Sequence, residues 1–484
     1  MTISGALSNA MLGLRAASRG AEVVSSNISN ALTPGYARRV LSLSSQATGG
    51  MGGVQINDVV RVVDASLASD RRMAEAAQLH ADGTAQFYAK FEALLGTPDN
   101  PASLSGGLAE FESSLIAAAS RPDAPDRLNT SVVAARNLAT NIRNASVGAQ
   151  NARSQADRAI SAMVDELNIS LEQVSKLNIQ ITSARSQGAS TASLMDQRQQ
   201  IVDQIGALVP VREVPRDNGQ IALYSTGGAV LIDGSAAVIG FEAVNTVTPH
   251  MSLAQGTLSG LTINGQSVRT DAEGGALRGG ALGIQFAIRD DHGIAAQAQL
   301  DVLARDLIER FEDPTVDPTL APGDAGLFTD EGNALDPLSQ LGLANRLSLN
   351  AAVDPDQNGQ AWRMRDGINA VTQGNVGDAT LLQNLTDALK NARPLADDAV
   401  GNGVFSATSL TAALTSQVAT ERTNSEQILS FAATQLTELT ERQLADGVDS
   451  DAEIQRLMLV EQAYAANARV LQTVDEMMQT LLGI

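Results

Sequence analysis

The chain has 484 residues, 44% of them hydrophobic, which is ample for two to four domains with proper cores. Its formal net charge is -21 and its only lysines are Lys90, Lys176 and Lys390, so nucleic acid is a poor partner and the acidity reads as solubility. Cysteine is absent, which excludes thiol catalysis, disulfides and zinc-thiolate sites while leaving the redox compartment open, and an aromatic share of 3% argues against large cofactor pockets.

At the start, Ile3, Leu7, Ala10, Leu14, Ala17, Ala21, Val24 and Ile28 follow one another at alternating gaps of four and three, a coiled-coil seam on one long helix. This stretch is amphipathic, with no basic region leading into an apolar block, so export would proceed without an ordinary signal peptide. No stretch approaches the roughly 18 apolar residues of a membrane span, so membrane insertion is not expected.

The first helix should stop near Asn30, where Thr33-Pro34-Gly35-Tyr36 turns the chain. Val40, Leu41 and Leu43, then Val54, Ile56, Val59 and Val60, predict short strands on either side of the Gly49 to Gly53 run. Helix returns from Asp64 to about Leu95, ending at Gly96-Thr97-Pro98.

Two or three long helices fill Leu104 to Leu208, broken near residues 121–126 and 187–191. Within the longest, Ile160, Met163, Leu167, Leu171, Val174, Leu177 and Ile181 keep helical spacing, as in an antiparallel bundle. From Val211 the period changes to short strands at 221–224, 229–232, 237–241 and 261–263, with Asn264-Gly265 as a favoured hairpin pair. Helix resumes from Leu282 to Phe311, Pro314, Pro318 and Pro322 mark a loop to about Leu338, and 346–405 mixes a possible strand at 347–353 with short helices.

After Phe405 the chain is helical nearly to the end, with a break at Asp446-Gly447 and a capping box, Ser450-Asp451-Ala452-Glu453, opening the last helix. There Leu457, Val460, Tyr464, Ala468, Leu471, Val474, Met478 and Leu481 form a second apolar stripe. The expected fold is mainly α: a long antiparallel helical bundle with an inserted small β-rich domain, and terminal helices able to form a coiled coil. The division read from these patterns is 1–63 with 450–484 as a terminal core, 64–210 with 279–449 as the bundle, and 211–278 as an outer β-rich domain.

Catalytic constellations are scarce, and no catalytic, metal or cofactor residues are assigned. The histidines are His80, His250 and His292, and neither a Gly-x-Ser-x-Gly elbow nor a phosphate-binding loop is present. Asp354-Pro355-Asp356-Gln357-Asn358-Gly359 opens like a calcium loop, but Arg365 stands where a bidentate glutamate belongs, so an Asp/Asn-rich turn is the better reading. Asp290-Asp291-His292 reads as a solvated helix face, and Asp301, Asp306, Glu309 and Glu312 have Arg305 and Arg310 among them as charge partners.

The two stripes need burial. Ordering each of the first 28 residues costs about 1 to 2 kcal/mol of backbone entropy, a fully buried Leu, Ile or Val contributes only about 1.5 to 3 kcal/mol, and three of the eight seam positions are alanine. The expectation is that the terminal segments fray in a solitary molecule and order when neighbours supply surface. Periodicity alone leaves packing within the chain and packing between chains both open.

Residue identity adds to this. Ser25 to Tyr36, with Asn27, Asn30, Thr33, Pro34, Gly35 and Tyr36, resembles the N-terminal signature of bacterial flagellar rod, hook and hook-associated proteins. Glu461 to Val470 and Asp475 to Leu482 are similar to that family's closing helix. The interior segment Leu194 to Ile205, with Asp196, Gln197 and Arg198, is similar to a signature of its FlgK-type junction proteins, as are Leu277 to Gly283 and Gly326 to Thr329. The resemblance covers nearly the whole chain, most weakly at 211–276 and 346–405. Val460 departs from it, standing where relatives often have tyrosine, and the chain is shorter than many of them.

The resemblance implies a non-enzymatic structural part of the extracellular flagellum, secreted by the flagellar type III apparatus and built into the hook-filament junction. Implied partners are further copies of the chain in a helical lattice, the hook protein, the second junction protein, and an export chaperone on the C-terminal helices. The implied assembly residues are Ile3, Leu7, Leu14, Val24, Ile28, Leu457, Val460, Tyr464, Leu471, Val474, Met478 and Leu481. Asn27 and Asn30 would close the first helix, with Pro34-Gly35 redirecting the chain outward. Another axial protein of the family, such as hook protein or the second junction protein, or a secreted adhesin, is the alternative.

Overall fold

The chain sets out from one end of the molecule and returns to it. The computed structural model describes residues 3–33, 35–45, 52–97 and 100–483; Pro34, the glycines at 49–50, Pro98 and the side chain of Leu481 lie outside it. α1 (Ile3–Ser29) leads to an antiparallel hairpin of β1 (Arg39–Ser45) and β2 (Val54–Arg61), in which Arg39 lies opposite Arg61 and Val40 opposite Val60. The Asp64 carboxylate accepts from the amides of Ser66 and Leu67 and so starts α2 (Ala65–Leu95), which ends at Gly96 with φ 75°.

Ser103 caps α3 (Leu104–Ser120), and Pro125, whose missing N–H is no loss in a first turn, opens α4 (Pro125–Ser186). At 62 residues α4 is roughly 90 Å long and serves as the spine of the molecule. α5 (Ala192–Leu208) then doubles back along it.

Two small antiparallel sheets follow. β3 (Val211–Pro215), β4 (Ile221–Ser225), β5 (Val230–Asp233) and β6 (Ser235–Ala236) form the first, and β7 (Ile239–Gly240), β8 (Leu261–Ile263) and β9 (Gln266–Val268) the second. The β8–β9 turn is the predicted Asn264-Gly265 pair, both residues left-handed at φ 51° and 79°. α6 (Gly280–Ala287) and α7 (Gly293–Phe311) carry the chain back toward the far end. Ile160, Val164, Leu167, Leu171 and Val174 on the second half of α4 share one core with Val202 and Ile205 of α5, Leu223 and Ile232 of the sheet, and Phe286 of α6.

The first half of α4 has the larger core. There Leu128, Val132, Leu138 and Ile142 meet Phe91, Phe111, Leu300 and Phe311. Around them lie β10 (Phe328–Asp330), α8 (Leu343–Arg346), β11 (Leu347–Leu349), α9 (Arg363–Asp366), α10 (Thr380–Lys390) and the ribbon of β12 (Arg393–Leu395) with β13 (Gly403–Phe405). The segment least legible in sequence is thus built of short pieces on this core. α11 (Ala407–Ala445) returns along α2, and α12 (Ser450–Leu482) closes the chain beside α1. The fold is mainly α with a small β insertion.

Three local expectations change. The helix expected to run unbroken from Leu282 to Phe311 holds a π turn, Ile288–His292. It swings Arg289 into full burial, where the guanidinium pairs with Asp157 at 2.9 Å and donates to Ser259 O at 2.9 Å, while Asp157 also accepts from the amides of Val244 and Asn245. The neighbouring residues are accordingly not a wholly solvated face: Asp290 is bonded to Arg289 at 2.8 Å, and His292 lies 3.2 Å from the Tyr88 hydroxyl, its pKa lowered by burial.

The last helix is capped by Asp449, whose carboxylate accepts from the amides of Asp451 and Ala452, rather than by Ser450. The calcium-like string is a turn: Asp354 accepts from the Asp356 amide, Asn358 is left-handed, and Arg136 pairs with Asp354 at 3.2 Å. Among the described residues no group of His, Asp or Glu is placed to hold a metal ion, and no helix is long and apolar enough to cross a membrane.

Candidate assembly interface

The terminal helices, expected to fray alone, are helical and pair antiparallel within one molecule. Gly13 and Gly20 of α1 and the buried Asn27, seven residues apart, face Asn467, Val460 and Glu453 of α12, again seven apart. A Cβ on Gly13 would fall 2.6 Å from the Asn467 side chain and one on Gly20 would sit 3.4 Å from Val460, so the missing side chains set how closely the helices approach. The same step of seven places Val474, 3% exposed, at the level of Ala6. Each helix thus supplies surface that the other lacks, which the entropy argument for a lone helix leaves out.

Asn27 sits at the bottom of this pair with 0% exposure. Its amide nitrogen donates to Glu453 Oε2 at 3.0 Å and to Arg39 O at 2.9 Å. Its oxygen accepts from the Tyr36 hydroxyl and from Arg39 N, each at 2.9 Å. Glu453, 1% exposed, is held in turn by Arg456 at 2.8 Å and Arg38 at 3.6 Å. One amide therefore ties together α1, the turn after it, the start of β1 and α12, and a carboxamide is suited to this because it donates and accepts on one small frame.

Asn30 has the more local task of closing α1: its Nδ2 donates to Ser26 O at 2.9 Å, and its oxygen accepts from Thr33. Gly35, at φ 75°, lies so close to Gln200 of α5 that a Cβ would come within 2.5 Å of it.

Asp196 reaches the same region from α5. It accepts from Arg61 Nε at 2.7 Å, Arg39 Nη2 at 2.9 Å and Ala37 N at 3.3 Å. Arg198 faces the other way, donating to Asn178 Oδ1 at 2.8 Å and Gly219 O at 2.7 Å and so fastening the β3–β4 turn to α4, while Gln197 is exposed.

The apolar stripes are only partly spent on this pairing. Val24 and Val474 are buried, whereas Ile3, Leu7, Leu14, Ile28, Leu457, Val460 and Leu471 are half-buried and Tyr464 and Met478 exposed. On α12, Leu459, Val470 and Met477, spaced eleven and seven, share one flank, and Leu459 is 64% exposed. Leu459, alone of the three, lines a groove of about 430 Å³ between α1, α12 and the β1–β2 hairpin, floored by Ala16, Ala17, Val23 and Leu41. The glycines at 13 and 20 and the inward role of Glu453 were missed in sequence; their heptad spacing with Asn27 was the available signal.

Comparison with known proteins points one way. Residues 88–316 match the family model described as the flagellar hook-associated protein FlgK helical domain, and residues 445–484 the model for the flagellar basal body rod FlgEFG protein C-terminal. Flagellar hook-associated protein 1 of Escherichia coli (strain K12) is 26% identical over 557 residues, covering 100% of both chains. Its counterpart in Bacillus subtilis (strain 168) is 23% identical over 99% of this chain and 97% of that one. That of Salmonella typhimurium is 30% identical over 49% of this chain and 44% of its own length. Among solved structures, the flagellar hook junction protein FlgK from Burkholderia pseudomallei aligns at 21% identity with a TM-score of 0.45, over 55% of this chain and 46% of that one.

Proposed function

Because the chain belongs to the flagellar hook-associated protein family, we propose that it builds the junction between hook and filament. The family's role is structural and its place is the flagellum. In the proposed arrangement residues 1–63 and 450–484 form the assembly core, 64–210 and 279–449 a rigid bundle around it, and 211–278 an outward face. Copies repeat a heterologous contact around a helical lattice, with hook subunits on one side and the second junction protein on the other. The subunit travels unfolded through the flagellar type III apparatus, and a chaperone holds the C-terminal helices beforehand.

One observation carries the reading: α1 and α12 cover only one face of each other and leave Leu459, Val470 and Met477 open, with Leu459 on the wall of a groove floored by apolar residues. Ile3, Leu7, Leu14 and Ile28, half-buried in one copy, offer the complementary surface of a neighbour. The match at 88–316 favours a hook-associated protein over a rod or hook protein, since the 445–484 match by itself fits those as well.

Deleting the gene in a motile host tests the assignment. The expected result is intact hooks, missing filaments and flagellin lost to the medium; filaments of normal length would reject it.

A further inference from the structure

We infer that Asp196 is the positioning residue that fixes the terminal module, α1 with α12 and the β1–β2 hairpin, at one angle to the helical bundle. The inference rests on the proposed assembly role, because only there does the angle matter. Chain connections between the two bodies are short: residues 62–64 on the way out and 446–449 on the way back. Both are poor splints. Val62, Val63 and Asp64 are exposed, as are Asp446 and Asp449, and Gly447 lies between the cap of α11 and the cap of α12. Two such links confine the module without fixing its orientation.

The orientation must then come from contacts across the joint, and charge concentrates there. Arg39 and Arg61 lie directly opposite each other at the open end of the hairpin. Like charges so placed repel, and both side chains are largely buried, which raises the cost of leaving them unpaired. Asp196 puts one oxygen on each: Oδ2 on Arg39 at 2.9 Å and Oδ1 on Arg61 at 2.7 Å. Oδ1 also takes the Ala37 amide at 3.3 Å. Tyr36 lies against the Arg39 guanidinium at 4.8 Å, linking this cluster to the Asn27 node that orders the module itself.

The carboxylate therefore does two things at once. It removes the repulsion that would splay the hairpin, and it does so from α5, a rigid helix packed on the spine of the bundle. Asn27 holds the module together, whereas Asp196 aims it. Neutral asparagine at 196 keeps the shape and loses the counter-charge.

The test uses the full-length chain, whose lack of cysteine makes two introduced labels unique. Spin labels at Ser18→Cys on α1 and Gln173→Cys on α4, both exposed positions, report the angle as a distance distribution. The expected result is one narrow distribution, at least doubled in width by Asp196→Asn and narrowed again by Asp196→Glu, with helical content and bundle melting unchanged. A distribution as narrow and centred as the parent's in Asp196→Asn overturns the inference. Should that variant fail to fold, Arg39→Met together with Arg61→Met, which takes both ion pairs from Asp196, should broaden the distribution likewise, and a width and centre equal to the parent's overturn the inference. In a deletion strain, Asp196→Asn should restore fewer filaments than the parent gene; full restoration despite a broadened distribution would overturn the link to assembly. Failure of the junction reading is separate, since it would appear as normal filaments in the deletion strain itself.

Discussion

Replacing Asn27 with alanine should release the terminal module while leaving the bundle folded. The amide makes four hydrogen bonds, three to neutral groups and one to the buried Glu453 carboxylate. A neutral bond contributes about 1 kcal/mol and one to a charged group about 1.5 to 3 kcal/mol. Some of the loss is recovered, because Tyr36 keeps Ser26 at 3.2 Å and Glu453 keeps Arg456 at 2.8 Å. The net cost is then about 3 kcal/mol, confined to opening of α1, α12 and the hairpin. Hydrogen exchange by mass spectrometry reads this directly: protection in 3–29 and 450–482 should fall by roughly a hundredfold, with α4 unchanged. Asn27→Asp should lose at least as much at neutral pH, since its carboxylate would face Glu453. Exchange in α12 within about threefold of the parent would refute the reasoning, because a node with four partners cannot be removed so lightly.

Gly20→Ala should be tolerated, since its Cβ meets Val460 at 3.4 Å and helix propensity gains about 1 kcal/mol; Gly20→Leu should cost about 1 to 3 kcal/mol by forcing the helices apart, both read by thermal melting. Asp157→Asn leaves the fully buried Arg289 with Asp290 as its remaining carboxylate partner and should cost about 3 kcal/mol or less, with exchange rising first at Val244 and Asn245, whose amides Asp157 holds. Asp301 is pushed up to about 6, chiefly by burial, against the hydrogen bonds it accepts from Ala344, Gly342 and Gln297. An acid raised in the folded state binds its proton more readily there, so its ionisation costs stability as pH rises from about 4 through 6. The parent should therefore gain stability over Asp301→Asn by up to about 3 kcal/mol on going from pH 7 to pH 4 in paired urea titrations, and a constant difference would contradict it.

The helices were legible because long periodic runs dominate them: the 160–181 ladder on α4 and the 264–265 turn stand where the residues place them, apart from Met163, which yields its buried position to Val164. What periodicity could not convey was partnership. The stripe from Ile3 to Ile28 marks apolar residues of α1, yet the line of contact with α12 runs through Gly13, Gly20 and Asn27, because backbone approach is governed by the side chains that are missing. Likewise the Ser450 to Glu453 string satisfies a capping pattern locally, but the buried Asn27 and the nearby guanidiniums of Arg38 and Arg456 offer Glu453 stronger partners, and Asp449 takes the cap. Asp196 and Arg198 stand two apart on one helix yet serve different joints, one toward the terminal module and one toward the sheet, a division that only tertiary contact assigns.

The open flank of α12 also bears on how the proposed lattice would start. Val470 and Met477 are already about half covered and Leu459 about a third, so completing their burial contributes about 1 to 2 kcal/mol for Leu459 and about 1 kcal/mol for each of the others, from the 1.5 to 3 kcal/mol of a full burial. Holding one subunit against another costs about 4 kcal/mol or more in lost translation and rotation. A single flank therefore cannot retain a neighbour. A subunit meeting two neighbours and an existing end uses the flank, the groove and the half-buried residues of α1 together while losing its freedom once. Addition at a preformed end is then favoured over pairing in solution, and this depends on the terminal module arriving at an angle that lets all those surfaces engage together, which is the role assigned to Asp196. Sedimentation at rising concentration should accordingly show monomers in isolation, and a stable dimer at micromolar concentration would mean that one flank suffices.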